Sequence, residues 1–88
     1  MSKKYRKKPV KVQAIQFTFN SIEAVKDFVD SYYWLGPNKS KGTLMLNTHY
    51  YGMVQIEEGD WIVKGVKGDF YPCKVDVFEQ IYEKVEEN

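Results

Sequence analysis

The chain has 88 residues, of which 43% are hydrophobic and 16% aromatic, and its formal net charge at pH 7 is +1. This length predicts one domain, residues 1–88, that buries roughly 60–65% of the surface of its unfolded chain, so that oligomerisation is a common way to add core. The net charge is too small for nonspecific binding of polyanions through overall charge. A single cysteine cannot form an internal disulfide. With no signal-peptide pattern and no apolar run of membrane length, we expect a protein of a reducing cytoplasm without membrane contact.

The charges are distributed unevenly along the chain. Residues 1–8 form a basic N-terminal arm, and acidic residues dominate the other end. The basic residues at the start are Lys3, Lys4, Arg6, Lys7, Lys8 and Lys11, and the acidic residues at the end are Asp76, Glu79, Glu83, Glu86 and Glu87. Opposed termini favour head-to-tail or antiparallel subunit contacts, or a basic arm that reaches an anionic ligand.

The first predicted element is an extended segment, "VKVQAIQFTF", which follows Pro9. Its apolar residues change parity midway, which predicts a bulge near Ala14 or a strand that is buried on both faces. Gln16 then lies among apolar neighbours. Its amide either sits on a solvent-exposed face or points into a pocket.

The next element is the main helix, predicted at about residues 21–33. Asn20 is a plausible N-cap with Glu23 at capping-box spacing, and Gly36-Pro37 ends the helix or closes the turn beyond it. Apolar residues at three- and four-residue intervals form a single stripe. They are Ile22, Val25, Phe28, Val29 and Tyr32.

The rest of the chain reads as short strands after a polar loop, 37–43. The predicted strands are 44–47, 53–57, 61–66, 69–73 and 80–85, separated by turn residues that include glycine, and "VDVF" is a candidate single helical turn before the last strand. One main helix with a mostly antiparallel sheet of short strands is an α+β fold.

The residues needed for catalysis are scarce. His49 is the only histidine, so a histidine-based metal cluster or a two-histidine acid–base pair is impossible within one subunit. Cys73 reads as a packing residue because the local sequence offers only Lys74 to activate a thiolate. Asp60 and Asp69 follow glycines and are explained by turn formation, and "GVKG" lacks the helix that a phosphate loop requires. We therefore expect no enzyme, no metal and no cofactor.

Aromatic rings next to basic residues are the pattern that stands out. The stretch "GDWIVKGVKGDFYPCK" combines them, and so do the arm and the "HYY" turn. Bases stack on rings and phosphates pair with Lys or Arg, so two stacked bases and two paired phosphates reach on the order of −12 kcal/mol before ordering costs. A small dinucleotide is therefore a suitable ligand, whereas long nucleic acid is not expected without a continuous basic track. Surface lysines and hairpin tyrosines without any ligand are the alternative.

Both ends of the chain resemble a known group of proteins. The opening "YRKKPVKVQAIQF" and the closing "GDWIVKGVKGDFYPCKVDVFEQIYE" are similar to motifs of small phage and prophage proteins, with departures at Val75, where proline is expected, and at Asp69, where glutamate is commoner. This group resembles the viral sponge family typified by the anti-CBASS protein of a Bacillus phage. Members bind cyclic nucleotide immune signals without cleaving them.

The resemblance implies non-catalytic sequestration of a cyclic dinucleotide, such as 3′,3′-cyclic GMP-AMP, in the cytoplasm of the infected bacterial host. It also implies a homotetramer whose pockets are shared between subunits. The ligand-binding positions that it suggests come from the arm, the hairpin and the variable middle. They are Tyr5, Arg6, Lys8, Gln16, Trp34, Tyr50, Lys64, Lys67 and Tyr71. Gly65 and Gly68 would let the backbone approach a phosphate or make the turn.

Two other functions fit the sequence. One is a small phage nucleic-acid-binding module that uses residues 1–11 as a basic arm. The other is an inhibitor that contacts a host protein through its tyrosine-rich face.

Overall fold

The computed structural model describes residues 2–6 and 10–85. These residues form two antiparallel three-stranded sheets and two α-helices, which confirms the α+β class. The elements in chain order are β1 (Gln13–Gln16), α1 (Ile22–Phe28), β2 (Trp34–Asn38), β3 (Thr43–Thr48), β4 (Gly52–Glu57), β5 (Trp61–Lys64), β6 (Phe70–Cys73) and α2 (Val75–Ile81). The first sheet has the strand order β1-β5-β6, and the second has the order β2-β3-β4.

The main helix is shorter than the predicted 21–33. A 3₁₀ turn, Phe19–Ser21, leads into α1, and α1 ends at Phe28 because Val29 has extended backbone angles (φ −91°, ψ 131°). A second 3₁₀ turn, Ser31–Tyr33, follows. The apolar stripe therefore continues across a break in the helix, which the periodicity alone did not show.

The start of this helical segment also differs from the predicted Asn20–Glu23 capping box. The Thr18 N–H donates to Ser21 Oγ at 3.1 Å, and the Phe19 N–H donates to Glu58 Oε2 at 2.9 Å. Ser21 and Glu58 thus satisfy backbone donors that a helix start leaves unpaired. Asn20 is exposed.

Strand β2 was missed, and a polar loop was predicted over 37–43. Gly36 and Pro37 lie within β2, and the register of its pairing with β3 shifts between Trp34 and Gly36. Gly36 has a φ of +112°, a backbone conformation that residues other than glycine rarely adopt. Proline is tolerated because β2 is an edge strand, where one row of backbone N–H groups needs no partner.

The predicted final strand, 80–85, is wrong. The segment forms α2, Val75–Ile81, and residues 82–85 follow it without regular structure. The single turn considered at "VDVF" is the beginning of this helix.

One core joins both sheets and α1. Eight apolar residues form its buried cluster: Phe17, Val25, Val29, Leu44, Leu46, Ile56, Ile62 and Phe70. Since the strands of both sheets and α1 contribute, the two sheets cannot pack independently of each other.

The face of the first sheet that points away from the core is also packed, against α2. Because successive side chains of a strand point to opposite faces, Trp61 lies opposite the core face that Ile62 occupies. There Phe78 of α2 stacks on Trp61, with ring centroids 4.1 Å apart and planes 5° apart. The pairing of β1 with β5 runs without a bulge from Gln13 to Gln16, and Ala14, Ile15 and Gln16 are all half-buried. Of the two interpretations of the parity change, a strand covered on both faces therefore fits.

Within residues 2–6 and 10–85, no helix has the length and apolar character needed to span a membrane.

Candidate ligand-binding site

Two adjoining cavities lie beside the turn that connects β5 and β6. We call one the tyrosine cavity, lined among others by Tyr50, Tyr71, Tyr82, Lys67 and Asp69; its volume is about 580 Å³. Five lining residues are common to it and to the second cavity: Val10, Val12, Gly65, Val66 and Tyr82. The two cavities therefore share part of their walls.

The second cavity, which we call the lysine cavity, has a volume of about 880 Å³. Its charged lining residues are three lysines and one glutamate, and its aromatic ones include the stacked pair of α2 and β5. These residues are Lys11, Lys64, Lys84, Glu83, Trp61 and Phe78. The lysine cavity thus carries an excess of positive charge, whereas Lys67 and Asp69 balance each other in the tyrosine cavity.

The turn between the cavities has the hydrogen bonds of a tight hairpin. The Gly65 N–H donates to the Asp69 carbonyl at 2.7 Å, and the Gly68 N–H donates to the Gly65 carbonyl at 3.0 Å. Gly68 has a φ of +83°, as in a hairpin that ends in a glycine bulge. The prediction of a turn at residues 67–69 is confirmed, and the hydrogen-bonded loop begins at Gly65.

The Asp69 carboxylate is placed over Gly65. A Cβ atom at position 65 would lie 2.6 Å from Asp69 Oδ1, which is closer than such contacts come in proteins. Glycine at position 65 therefore leaves room for this carboxylate in the wall of the tyrosine cavity.

Two phenol groups face each other in the same cavity. The hydroxyls of Tyr71 and Tyr82 lie 3.3 Å apart. Burial raises the pKa of Tyr71 well above its usual range, and the hydrogen bond to Tyr82 and the negative charge of Asp69 act in the same direction. At neutral pH the Tyr71 side chain is therefore a neutral hydroxyl.

We expect Tyr71 to ionise only above the usual tyrosine pKa of 10.0 in an alkaline titration followed by tyrosinate absorbance. Because its pKa in the folded state lies above the reference value of 10.0, its contribution to stability is complete below that pH and is lost as the pH rises further. Tyr71→Phe should remove the late part of the titration, whereas Tyr32→Phe, at an exposed position outside both cavities, should leave that late part in place. Equal effects of the two variants would contradict the assignment.

The lysine cavity combines the rings of Trp61 and Phe78 with the ammonium groups of its lysines. The Lys64 ammonium lies 5.8 Å from the centroid of the Phe70 ring, within cation–π range, but Phe70 is buried in the core and does not line the cavity. The indole Nε1 of Trp61 is buried without a hydrogen-bond partner in the part of the chain that the structure describes. Stacked rings and nearby ammonium groups suit a planar anionic ligand.

Asp60 fixes the position of α2, which contributes Ile81 to the tyrosine cavity and Phe78 to the lysine cavity. This buried residue, 6% exposed, accepts a 3.0 Å hydrogen bond from Lys74 Nζ and a 3.1 Å hydrogen bond from the Val75 N–H. Lys74 also lies 3.5 Å from Glu57. The hydrogen bond with Asp60 raises the pKa of Lys74. Asp60, predicted only as a turn residue, therefore connects β5 to the start of α2.

Four of the nine predicted site residues line these cavities. Tyr50, Lys67 and Tyr71 line the tyrosine cavity, and Lys64 lines the lysine cavity. The hairpin thus brings together the residues that the closing motif suggested.

The other five predicted site residues lie elsewhere or are not described. The Gln16 amide donates to the Gly59 carbonyl at 2.9 Å, and Trp34 packs against the core cluster. Tyr5, which is 90% exposed, and Arg6 lie on the arm and line neither cavity. Lys8 lies outside the described residues.

Sequence reasoning missed Tyr82, Lys84 and Asp69. The first two are placed by α2, and a signal for that helix exists because Val75, Phe78 and Tyr82 recur at three- and four-residue spacing. Cys73 is half-buried, and its burial raises the pKa of the thiol, which disfavours the reactive thiolate. Among the described residues, no cluster of three or more His, Cys, Asp or Glu side chains could hold a metal ion.

No protein-family model matches this chain, and comparisons with curated proteins and with solved structures found no match either. The fold and the two cavities are therefore the basis on which a function can be argued.

Proposed function

We propose that this protein binds and sequesters a cyclic dinucleotide, such as 3′,3′-cyclic GMP-AMP, without cleaving it. Sequestration of such an immune signal would let a phage evade a CBASS-type defence in the cytoplasm of its bacterial host. The proposal joins the resemblance of the two terminal motifs to the chemistry of the two cavities.

The observation that carries the proposal is that a cationic aromatic cavity adjoins a second, smaller cavity. Both volumes, about 580 and 880 Å³, are in the range of small-molecule sites. A cyclic dinucleotide has two bases on opposite sides of a ring with two phosphates. In the proposed arrangement, the phosphates lie near Lys11, Lys64 and Lys84, and each base occupies one cavity.

A homotetramer with pockets shared between subunits is part of the same proposal. Exposed apolar side chains surround the tyrosine cavity and would be covered by a neighbouring subunit. They are Val10, Tyr50, Val66 and Ile81. Val66, for example, is 71% exposed at the tip of the hairpin turn.

The test is a binding screen of the purified protein against cyclic di- and trinucleotides. Thermal shift and calorimetry measure binding, and chromatography of the denatured complex shows whether the ligand is returned intact. Native mass spectrometry of the same samples gives the number of subunits and ligands. We expect a raised Tm, intact ligand and a tetramer. A screen without any binding would rule out sequestration of these ligands, and a cleaved ligand would identify an enzyme instead.

The exposed arm favours a second candidate, a nucleic-acid-binding module. Lys3, Lys4 and Arg6 are all exposed. This function predicts oligonucleotide binding that falls steeply with salt and disappears when residues 1–8 are removed. Removal of the same residues should leave binding in the two cavities largely intact if the phosphates lie near Lys64 and Lys84.

A further inference from the structure

Asp69 lines the tyrosine cavity, and a carboxylate is not a group that binds anions. Within residues 2–6 and 10–85 it accepts no hydrogen bond and forms no ion pair, although Lys67 lines the same cavity. The nearby hydroxyls of Tyr71 and Tyr82 are hydrogen-bonded to each other. The carboxylate therefore has two oxygens available to accept hydrogen bonds from a ligand.

The charge of Asp69 disfavours a phosphate next to its carboxylate, although Lys67 balances this charge in the cavity as a whole. Two like charges in a partly desolvated site repel each other, so the phosphates of a ligand are favoured in the lysine cavity, where lysines are in excess. What enters the tyrosine cavity must instead present hydrogen-bond donors to the carboxylate and a planar surface to the tyrosine rings.

We propose that Asp69 recognises guanine in the tyrosine cavity through the N1–H and the exocyclic amino group of the base. These two donors lie side by side and match the two oxygens of a carboxylate. Adenine places a ring nitrogen with a lone pair next to its amino group, so it offers one donor and one repulsive contact. The inference rests on the proposed function, since it assigns one base of the sequestered cyclic dinucleotide.

Gly65 supports this assignment through the space it leaves. The Asp69 Oδ1 atom would be 2.6 Å from a Cβ at position 65, so any larger residue would move the carboxylate. Gly65 has an ordinary backbone φ, unlike Gly68 at +83°. Its lack of a side chain therefore serves the placement of Asp69 and not the shape of the turn.

The experiment compares cyclic di-GMP with cyclic di-AMP by calorimetry on the full chain. Wild-type protein should prefer cyclic di-GMP, and Asp69→Asn should weaken that ligand about 10- to 100-fold while leaving cyclic di-AMP within about 3-fold, since a hydrogen bond to a charged group is lost only with guanine. Asp69→Glu retains a carboxylate and should retain part of the preference. Asp27→Asn, an exposed position on α1 outside both cavities, is the control with the same change in charge.

The outcomes separate this inference from the proposed function. If Asp69→Asn weakens both ligands equally, or neither, the assignment of guanine is wrong and sequestration still stands. If wild-type protein binds no cyclic dinucleotide, sequestration fails, and amide NMR spectra with GMP and AMP decide the inference instead. Shifts of the Gly65 and Asp69 signals with GMP alone would support it, and equal or absent shifts would overturn it.

Discussion

Replacing Asp60 with asparagine is expected to lower the free energy of unfolding by about 1.5–3 kcal/mol, which is the scale of hydrogen bonds to a buried charged group. The carboxylate accepts from both Lys74 Nζ, at 3.0 Å, and the Val75 N–H, at 3.1 Å. An amide offers one oxygen for these two donors and directs an NH₂ group at the other. Urea denaturation followed by tryptophan fluorescence gives the free energy of unfolding.

Glu57→Gln is the matched control for Asp60→Asn. It also removes a carboxylate beside Lys74, but the two side chains of this pair are 70% and 60% exposed and lie 3.5 Å apart. Exposed pairs of this kind contribute about 0–1 kcal/mol. A similar loss in both variants would show that the attachment of α2 does not depend on the buried carboxylate.

The largest expected effect on binding comes from removing two charges of the lysine cavity. The double variant Lys64→Gln/Lys84→Gln should weaken binding of 3′,3′-cyclic GMP-AMP about 100-fold or more, because each lost charged hydrogen bond corresponds to about a factor of ten or above. Binding by the double variant should also depend less on salt concentration. Glutamine keeps two of the four methylene groups of lysine, and at position 64 it also removes the ammonium group that lies 5.8 Å from the centroid of the Phe70 ring.

Lys39→Gln/Lys41→Gln provides the corresponding control. Both lysines are exposed in the turn between β2 and β3, line neither cavity, and give the same change in net charge. If this control loses as much affinity as the double variant of the cavity, the effect comes from the overall field of the protein. If the cavity variant binds normally, the phosphates do not lie beside Lys64 and Lys84.

The parts of the fold that depend on local sequence were predictable. The turn at Gly68 follows from glycine between two apolar runs, and it fixes the β5–β6 hairpin that carries Lys64, Lys67 and Tyr71. The beginning of the main helix was placed within a few residues. Its cap was not, because Glu58 acts from 39 positions along the chain.

The segments that failed are those in which tertiary contacts decide. In "VDVFEQIYEKV" the apolar residues fit both a strand and a helix over part of the segment, and α2 is selected by the stack of Phe78 on Trp61 and by the bond from Val75 to Asp60. Strand β2 contains Gly36 and Pro37, which are poor strand formers, and it exists because β3 supplies its partner.

In the candidate site, too, the residues that lie close in sequence were predicted and those joined by tertiary contacts were not. Lysines and tyrosines of the hairpin are close in sequence and were found together, whereas Tyr82 and Lys84 join them only because α2 folds back over the first sheet. Gln16 and Trp34 were attractive as ligand contacts from their neighbours in sequence. Their positions in the fold are explained by a backbone hydrogen bond and by core packing.

The dependence of α2 on Asp60 and Trp61 sets an order of events during folding. A helix of this length is not stable alone in water, since nucleation costs more than one or two turns return. Because α2 depends on its contacts with Asp60 and Trp61, we expect it to form after the β5–β6 hairpin and the segment before it. The amides of α2 should therefore exchange with solvent faster than those of β5, and the walls of both cavities should be completed in the last step of folding.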